Sequence, residues 1–142
     1  MAASRKLTAG NKAVFTWKKV TKKEVEKKIS QVDNKESFGE DKISYGFLKK
    51  MSRWISQELT EIINLSLEIK VYPAKWKIAR VKPLFKGEDC DRTAPKSYRP
   101  VALLSAMSRI MEALMAKQLD RYQEEQGLVH QGVHGFRKGP DN

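Results

Sequence analysis

Two cations, Lys86 and Arg99, are the residues of this sequence whose types and positions best suit chemistry. Lys86 ends one extended stretch, and Arg99 begins the next, within Tyr98-Arg99-Pro100. The proline favours extended geometry in the residue before it. A lysine presents a point charge and an arginine a two-pronged donor, and both suit phosphate oxygens. We therefore expect the two side chains to converge on one polyanion.

The stretch that ends at Lys86 alternates like a β-strand. From Lys77 to Lys86 one side carries small or apolar residues, and the other side is largely basic. The first side consists of Ala79, Val81 and Phe85, and the second of Ile78, Arg80, Lys82, Leu84 and Lys86. A period of two with this sorting predicts a half-buried strand that exposes its cations.

The composition favours a nucleic-acid partner. The chain has 142 residues, enough for one small domain or a piece of a larger one, and its net charge is +11. Such a balance is typical of proteins that bind nucleic acid or an anionic membrane, or that need solubility. The basic stretch has the period of a strand rather than of an amphipathic helix, and no apolar run is long enough for a membrane span. We therefore expect nucleic acid and no membrane.

Cys90 is the one cysteine of the sequence, so no internal disulfide can form. A lone thiol fits a reducing compartment. The basic N-terminus is not followed by the apolar segment of a signal peptide. We expect an intracellular protein, in the nucleus, the cytoplasm or both.

Several motifs occur in an order that resembles the N-terminal, fingers part of the reverse transcriptase domain of non-LTR (LINE-type) retrotransposons. They are W-K-x-A-x-V-x-P-L-x-K, a short polar insert (residues 87–96), Y-R-P-V-A-L-L-S, a long helix and H-G-F-R-K-G. An upstream block, S-F-G-E-D-K-I-S-x-x-x-L-K, extends the resemblance to roughly residues 21–139. Glu40 of this block stands where the family usually has proline.

The resemblance implies an α+β fold, namely the helix-rich fingers portion of a fingers/palm fold that is incomplete and has a short basic β segment. Residues 1–20 are then an N-terminal extension or linker. Residues 21–142 are a partial reverse transcriptase domain.

The resemblance also implies roles for the cations. Lys86 and Arg99 match the fingers lysine and arginine that contact the triphosphate of the incoming deoxynucleotide. Arg137 and Lys138 match a loop near the template and the nucleotide pocket, and Arg80 and Lys82 are expected near the template as well. The alternative interpretation of Lys86 is a solvated strand end. The alternative interpretation of Arg99 is a salt bridge to an acid in the insert.

The carboxylates that nucleotide addition needs are not in the sequence. Phosphoryl transfer to a primer uses two metal ions held by paired carboxylates. The family has one catalytic aspartate beyond the G-F-R segment and two in a Y-x-D-D turn, and the sequence contains neither. We expect Mg²⁺ in the complete enzyme, no metal on this chain and no polymerase activity from it alone. The expected partners are an RNA template, a DNA primer, deoxynucleoside triphosphates and the palm and thumb of the same polymerase.

Two alternatives remain open. One is a basic domain that holds nucleic acid without catalysis. The other is a helical interaction domain, for which the methionine-rich helix expected at residues 105–126 is the hint. This last alternative predicts that reversing Lys82, Lys86 and Arg99 to glutamate leaves function untouched.

Two further groups have the residue types of metal ligands but not the pattern. The insert contains Glu88, Asp89 and Asp91 but lacks the glycine and the distal glutamate of a calcium loop. His130 and His134 stand four residues apart, but the sequence has glutamine where a zinc peptidase needs glutamate. We predict no metal site at either place.

Four helices are expected to position these residues. The first begins at a Thr21–Glu24 capping box, and Ser44 caps a short second helix, Tyr45–Met51. The third helix is Trp54–Ile69 and the longest is Ser105–Gln126, which Gly127 ends.

The apolar positions of these helices predict the core. Phe47 and Leu48 are expected to face inward, and Trp76 to be a packing anchor rather than a stacking platform. Asp41 is expected to serve a turn. The third helix should bury a stripe of Ile55, Leu59, Ile62, Ser66 and Ile69, flanked by Trp54, Ile63 and Leu65. The longest helix should bury Met107, Ile110, Met111, Leu114, Met115, Leu119 and Tyr122.

Overall fold

The computed structural model describes residues 14–33 and 38–128. Within them, three α-helices surround a core and one antiparallel β-hairpin lies between the second and third helices in the chain. The helices are α1 (Lys22–Gln31), α2 (Tyr45–Ile69) and α3 (Ala106–Glu125), and the strands are β1 (Arg80–Phe85) and β2 (Tyr98–Leu103). Short 3₁₀ turns, Ala74–Lys77 and Pro95–Ser97, precede the strands. This mixture of helix and strand confirms the α+β class.

The core is formed by one side of each helix. Since α1 has only 10 residues, it depends on this packing, because isolated helices of that length are marginal in water. Trp76 is buried in the same core, so its predicted role as a packing anchor is confirmed. The buried apolar side chains are Val20, Val25, Ile29, Leu48, Leu59, Ile63, Leu67, Trp76, Ala106, Ile110, Met111 and Leu114.

The capping box of α1 is confirmed. The backbone N–H of Glu24 donates to the Thr21 hydroxyl at 3.3 Å, and the backbone N–H of Thr21 donates to the Glu24 carboxylate at 2.9 Å. Two N–H groups that a helix start leaves without partners are thereby satisfied.

Residues 45–69 form one continuous helix of 25 residues, so the prediction of two helices with a break after Met51 was wrong. No glycine or proline interrupts the segment between Met51 and Trp54. The Ser56 hydroxyl donates to the carbonyl of Ser52 within the helix, so these polar residues did not mark a break. The Ser44 cap is confirmed, because Phe47 N–H donates to its hydroxyl at 3.2 Å.

The buried side of α2 is rotated from the predicted one. Leu48 and Leu59 are buried, as predicted. Ile63, which was expected only to flank the buried stripe, is buried as well. The inward positions predicted for Phe47, Ile62 and Ile69 were wrong, since all three are exposed, as are the flanking Trp54 and Leu65. The helix has apolar residues on both sides, so the sequence pattern alone did not distinguish the core side.

The hairpin differs from the predicted half-buried strand in two ways. The strand begins at Arg80 rather than at Lys77, because Ala74–Lys77 forms a 3₁₀ turn. It is also exposed on both sides: Val81 is 63% exposed, and Phe85 is only partly buried. The core contains no residue of either strand, so the described helices do not cover the side that was expected to be buried.

The last helix matches its prediction closely. It extends from Ala106 to Glu125 with Gln126 at its C-cap, and Gly127 follows with a φ of +60°. Ile110, Met111 and Leu114 are buried, whereas Leu119 is 39% exposed, so its predicted burial was wrong.

Two side-chain amides bind the segment before α1. The Val20 N–H donates to Asn64 Oδ1 at 2.8 Å, and Asn64 Nδ2 donates to the Val20 carbonyl at 2.9 Å. Gln118 makes the same two contacts with the backbone of Lys18, at 2.8 and 2.9 Å. The two amides thus provide hydrogen-bond partners for the N–H and carbonyl groups of Lys18 and Val20, as a neighbouring β-strand would.

Candidate nucleic-acid interface

The register of the hairpin brings four cations to one face. Arg80 lies opposite Leu103, Lys82 opposite Val101, and Leu84 opposite Arg99. The Lys86 N–H donates to the Ser97 carbonyl at 2.9 Å, which continues the same pairing. Residues directly opposite each other in an antiparallel pair lie on the same face. We call this the basic face, and it consists of Arg80, Lys82, Leu84, Lys86, Arg99, Val101 and Leu103.

Lys86 and Arg99 are diagonal neighbours on the basic face. Lys86 pairs with Ser97, and Arg99 lies two residues further along the same strand. Diagonal pairs are within reach of long side chains. Both residues are exposed, and the Lys86 ammonium donates to the carbonyl of Lys96 in the insert. The ammonium of Lys86 is therefore held by a neutral carbonyl oxygen, close to the insert that joins the two strands.

No carboxylate among residues 14–33 and 38–128 forms an ion pair with Lys86 or Arg99. The interpretation of Arg99 as the partner of an insert acid is therefore not seen in this part of the chain. Asp91 of the insert instead accepts hydrogen bonds from the hydroxyl and the N–H of Thr93, at 2.7 and 2.9 Å. Both bonds lower the pKa of Asp91 below its ordinary value, and the bond from the hydroxyl has the larger effect.

The basic face also has an apolar floor. It borders a trough of about 600 Å³ whose lining includes Leu84, Val101 and Leu103 beside Arg80 and Lys82. Phe38 also lines the trough, and the Arg80 guanidinium lies 5.5 Å from the centre of its ring. No pattern in the sequence singles out Phe38, because its contact with Arg80 joins residues far apart in the chain.

The insert is fixed to the opposite face of the hairpin. The rings of Phe85 and Tyr98 lie 5.4 Å apart, and the Arg92 guanidinium lies 4.9 Å from the Phe85 ring. The Tyr98 hydroxyl donates to the Arg92 carbonyl at 2.9 Å. These contacts hold the insert beside the strand end that carries Lys86, and sequence reasoning missed them.

Some predicted residues lie outside the described ranges. These are Arg137 and Lys138, and the histidines His130 and His134. Asp41 is described, and its carboxylate accepts from the Ile43 N–H at 3.1 Å, which confirms the predicted turn role.

The residues 14–33 and 38–128 contain neither a cluster of metal ligands nor a membrane-spanning helix. Nowhere in them do three histidine, cysteine, aspartate or glutamate side chains come together as metal ligands. None of the described helices has the length and apolar composition to span a membrane.

The sequence has relatives among proteins of mobile elements, although no protein-family model matches it. It is 32% identical over 116 residues to the 115 kDa protein of the type-1 retrotransposable element R1DM of Drosophila melanogaster, covering 82% of this chain and 11% of that protein. It is 30% identical over 116 residues to a protein of the Drosophila X-element transposon named as an RNA-directed DNA polymerase, covering 82% of this chain and 13% of that protein.

A third relative is the RNA-directed DNA polymerase from the mobile element jockey of the same organism. The identity is 29% over 118 residues, covering 83% of this chain and 13% of that protein. The chain thus spans only 11 to 13% of the length of these relatives. It belongs to the reverse transcriptase region of LINE-type, non-LTR retrotransposons.

Proposed function

We propose that the chain is the fingers portion of a LINE-type RNA-directed DNA polymerase, and that its basic face binds the phosphates of the substrates. Lys86 and Arg99 bind the triphosphate of the incoming deoxynucleotide, and Arg80 and Lys82 bind the template. The observation that carries the proposal is the register, which puts all four cations on one exposed face. Arg137 and Lys138 complete the template contact.

The size and chemistry of the basic face support this proposal. Six residue steps separate Arg80 from Lys86, about 20 Å along an extended strand, which is long enough to meet several phosphates. The exposed Leu84 and the partly buried Val101 lie between the cations, where sugars and bases can contact them. Single-stranded nucleic acid is commonly bound by such a combination of charged and apolar contacts.

Binding of a triphosphate would change the partner of Lys86. In the free chain its ammonium donates to a neutral carbonyl. That bond joins a cation to a neutral acceptor, whereas a phosphate oxygen carries a negative charge and adds the attraction between opposite charges. Arg99 can offer two parallel donors to the same phosphate tail. The exchange of the carbonyl for phosphate is therefore favourable.

The described residues position phosphates but do not fit a catalytic metal, since they hold no cluster of three ligands. We derive no step through Mg²⁺, and propose that the ion belongs to aspartates elsewhere in the longer polymerase. The 142-residue chain is then inactive on its own. The palm and thumb of the same protein supply the chemistry. An RNA template pairs with the incoming nucleotide, and a DNA primer supplies the 3′ hydroxyl to which the nucleotide is joined.

The test measures the affinities of the chain for a fluorescently labelled dTTP and for a labelled 20-nucleotide RNA by fluorescence anisotropy. Lys86→Ala with Arg99→Ala should weaken dTTP binding by roughly tenfold or more, since charged hydrogen bonds are lost. The matched control, Lys23→Ala with Lys27→Ala on α1, removes the same charge and should leave dTTP binding unchanged. Equal losses in both variants would contradict the proposal.

A second candidate is a nucleic-acid-binding module without any nucleotide site. The net charge of +11 and the exposed basic face favour it equally. It predicts salt-sensitive binding of RNA but no advantage of dTTP over inorganic triphosphate as a competitor. Competition by dTTP at concentrations where inorganic triphosphate is inert supports the polymerase assignment. Primer extension by the isolated chain would contradict its proposed inactivity.

A further inference from the structure

The helix α2 carries an apolar stripe on the side that the core does not use. Five large side chains on this side are unusually exposed: Phe47 53%, Trp54 64%, Ile62 44%, Leu65 57% and Ile69 54%. They follow one another at intervals of three, four, seven or eight residues, so they lie along one side of the helix. We call these five residues the outer stripe.

The outer stripe is long enough to be a binding surface. From Phe47 to Ile69 it extends over 22 residue steps, or about 33 Å of helix. Single exposed apolar residues are ordinary on protein surfaces, but contiguous patches generally mark interaction sites. Its size and linear shape match one face of another helix.

A carboxylate stands at the centre of the outer stripe. Glu58 is midway between Phe47 and Ile69 and is separated from Trp54 and Ile62 by four residues each, so it lies on the same side of the helix. It is exposed. No residue within 14–33 or 38–128 forms an ion pair with it. Any partner that covers the stripe must therefore accommodate a negative charge in its middle.

This position of Glu58 disfavours a second copy of the chain as the partner. A two-fold dimer that buries the whole stripe must place residue 58 at the symmetry axis, because 58 is the midpoint. Each interface residue of such a dimer meets its own symmetry mate or a residue equally far from the axis. The two Glu58 carboxylates would then face each other in an apolar surface, where like charges repel strongly.

We propose that the outer stripe docks an amphipathic helix that carries a lysine or arginine at the centre of its own apolar face. The apolar side chains of the two helices pack together, and the cation pairs with Glu58. The relatives are about six to seven times longer than this chain, and so contain much additional sequence that can supply such a helix. The inference does not depend on nucleotide binding by the hairpin.

The test uses two designed helical peptides with leucines at heptad spacing and one variable residue at the centre of the apolar face. One peptide has lysine there and the other glutamate. Isothermal titration calorimetry with the wild-type chain should show the lysine peptide binding roughly tenfold more tightly. With the Glu58→Lys chain the preference should reverse. The matched control Glu124→Lys, an exposed position on α3, should keep the wild-type preference.

A second variant separates docking from folding. Leu65→Asp changes an exposed residue and should abolish peptide binding while the far-ultraviolet circular dichroism and the RNA affinity stay unchanged. Equal affinity for the two peptides, or no binding of the lysine peptide, would overturn the proposal. So would a wild-type dimer in sedimentation equilibrium that Leu65→Asp converts to a monomer, because that result assigns the stripe to a second copy.

Discussion

Gly39 packs directly against the start of α3 at Ser105. A Cβ atom at Gly39 would lie 2.7 Å from the Ser105 nitrogen and 2.7 Å from the carbonyl carbon of Leu104. The loop before α2 is thereby joined to the segment that links β2 to α3. Phe38, the preceding residue, meets Arg80 at the end of the basic face. The upstream block thus supports the geometry of the hairpin.

We predict that Gly39→Ala destabilises the chain by about 1–3 kcal/mol, the usual effect of forcing extra atoms into a packed site. The neighbouring atoms belong to the backbone and cannot move aside as the end of a side chain can. The measurement is urea denaturation at pH 7. We also expect weaker RNA binding, because Phe38 must shift away from Arg80.

Gly46 offers the matched control for this substitution. It lies in the first turn of α2, and a Cβ there would have its nearest neighbour, the Ser44 hydroxyl oxygen, at 3.9 Å. Gly46→Ala should therefore stabilise the chain by up to about 1 kcal/mol, through helix propensity. If both substitutions had the same effect, the close contact at Gly39 would not be the cause.

The salt dependence of RNA binding gives a second prediction. Lys82→Gln removes one cation of the basic face, and the slope of log affinity against log salt should fall by about 0.7, the value for one phosphate contact of a single strand. Lys23→Gln on α1 should leave the slope unchanged while altering net charge equally. An identical slope for wild type and Lys82→Gln would exclude Lys82 from the RNA contact.

The local parts of this structure were predictable from sequence, and the long-range parts were not. The Thr21 cap, the Ser44 cap and the ends of α3 follow from residues within one helical turn, so the sequence suffices for them. The side of α2 that faces the core was not predictable, because its two apolar stripes differ only in which neighbours they meet. The same holds for the candidate site. Alternation indicated which residues of β1 share a side, but placing Arg99 beside them required the register of the hairpin.

A third prediction concerns the amide of Asn64. Asn64→Ala removes two hydrogen bonds to the backbone of Val20, a residue that is only 5% exposed. We expect a loss of about 2–3 kcal/mol, since partly buried backbone groups are left without partners. Gln118→Ala removes the equivalent pair at Lys18, where the bonds are exposed. Water can replace those bonds, so the loss should be smaller. Thermal or urea unfolding distinguishes the two, and the reverse order would contradict the argument from burial.

The capping box of α1 gives a prediction about pH. Thr21→Ala should cost about 1 kcal/mol at pH 7, as is usual for an N-cap. The hydrogen bonds from Thr21, chiefly that of its backbone N–H, lower the pKa of Glu24 below its ordinary 4.5 against the opposing effect of burial. A carboxyl group whose pKa is lower in the folded state stabilises the fold above its unfolded pKa, and this contribution is lost as the pH falls through the folded pKa.

The pH dependence can be isolated with Glu24→Gln. This variant should be less stable than wild type at pH 7, and the difference should narrow as the pH falls below about 4.5. Unfolding in urea at pH 7, 5 and 3.5 measures the difference directly. Thr21→Val keeps the backbone N–H donor but removes the hydroxyl. The difference in unfolding free energy between Thr21→Val and the double variant Thr21→Val, Glu24→Gln should therefore still narrow at low pH, but by less than the difference between wild type and Glu24→Gln. A difference that stays constant from pH 7 to 3.5 would show that the Glu24 charge does not contribute to the cap.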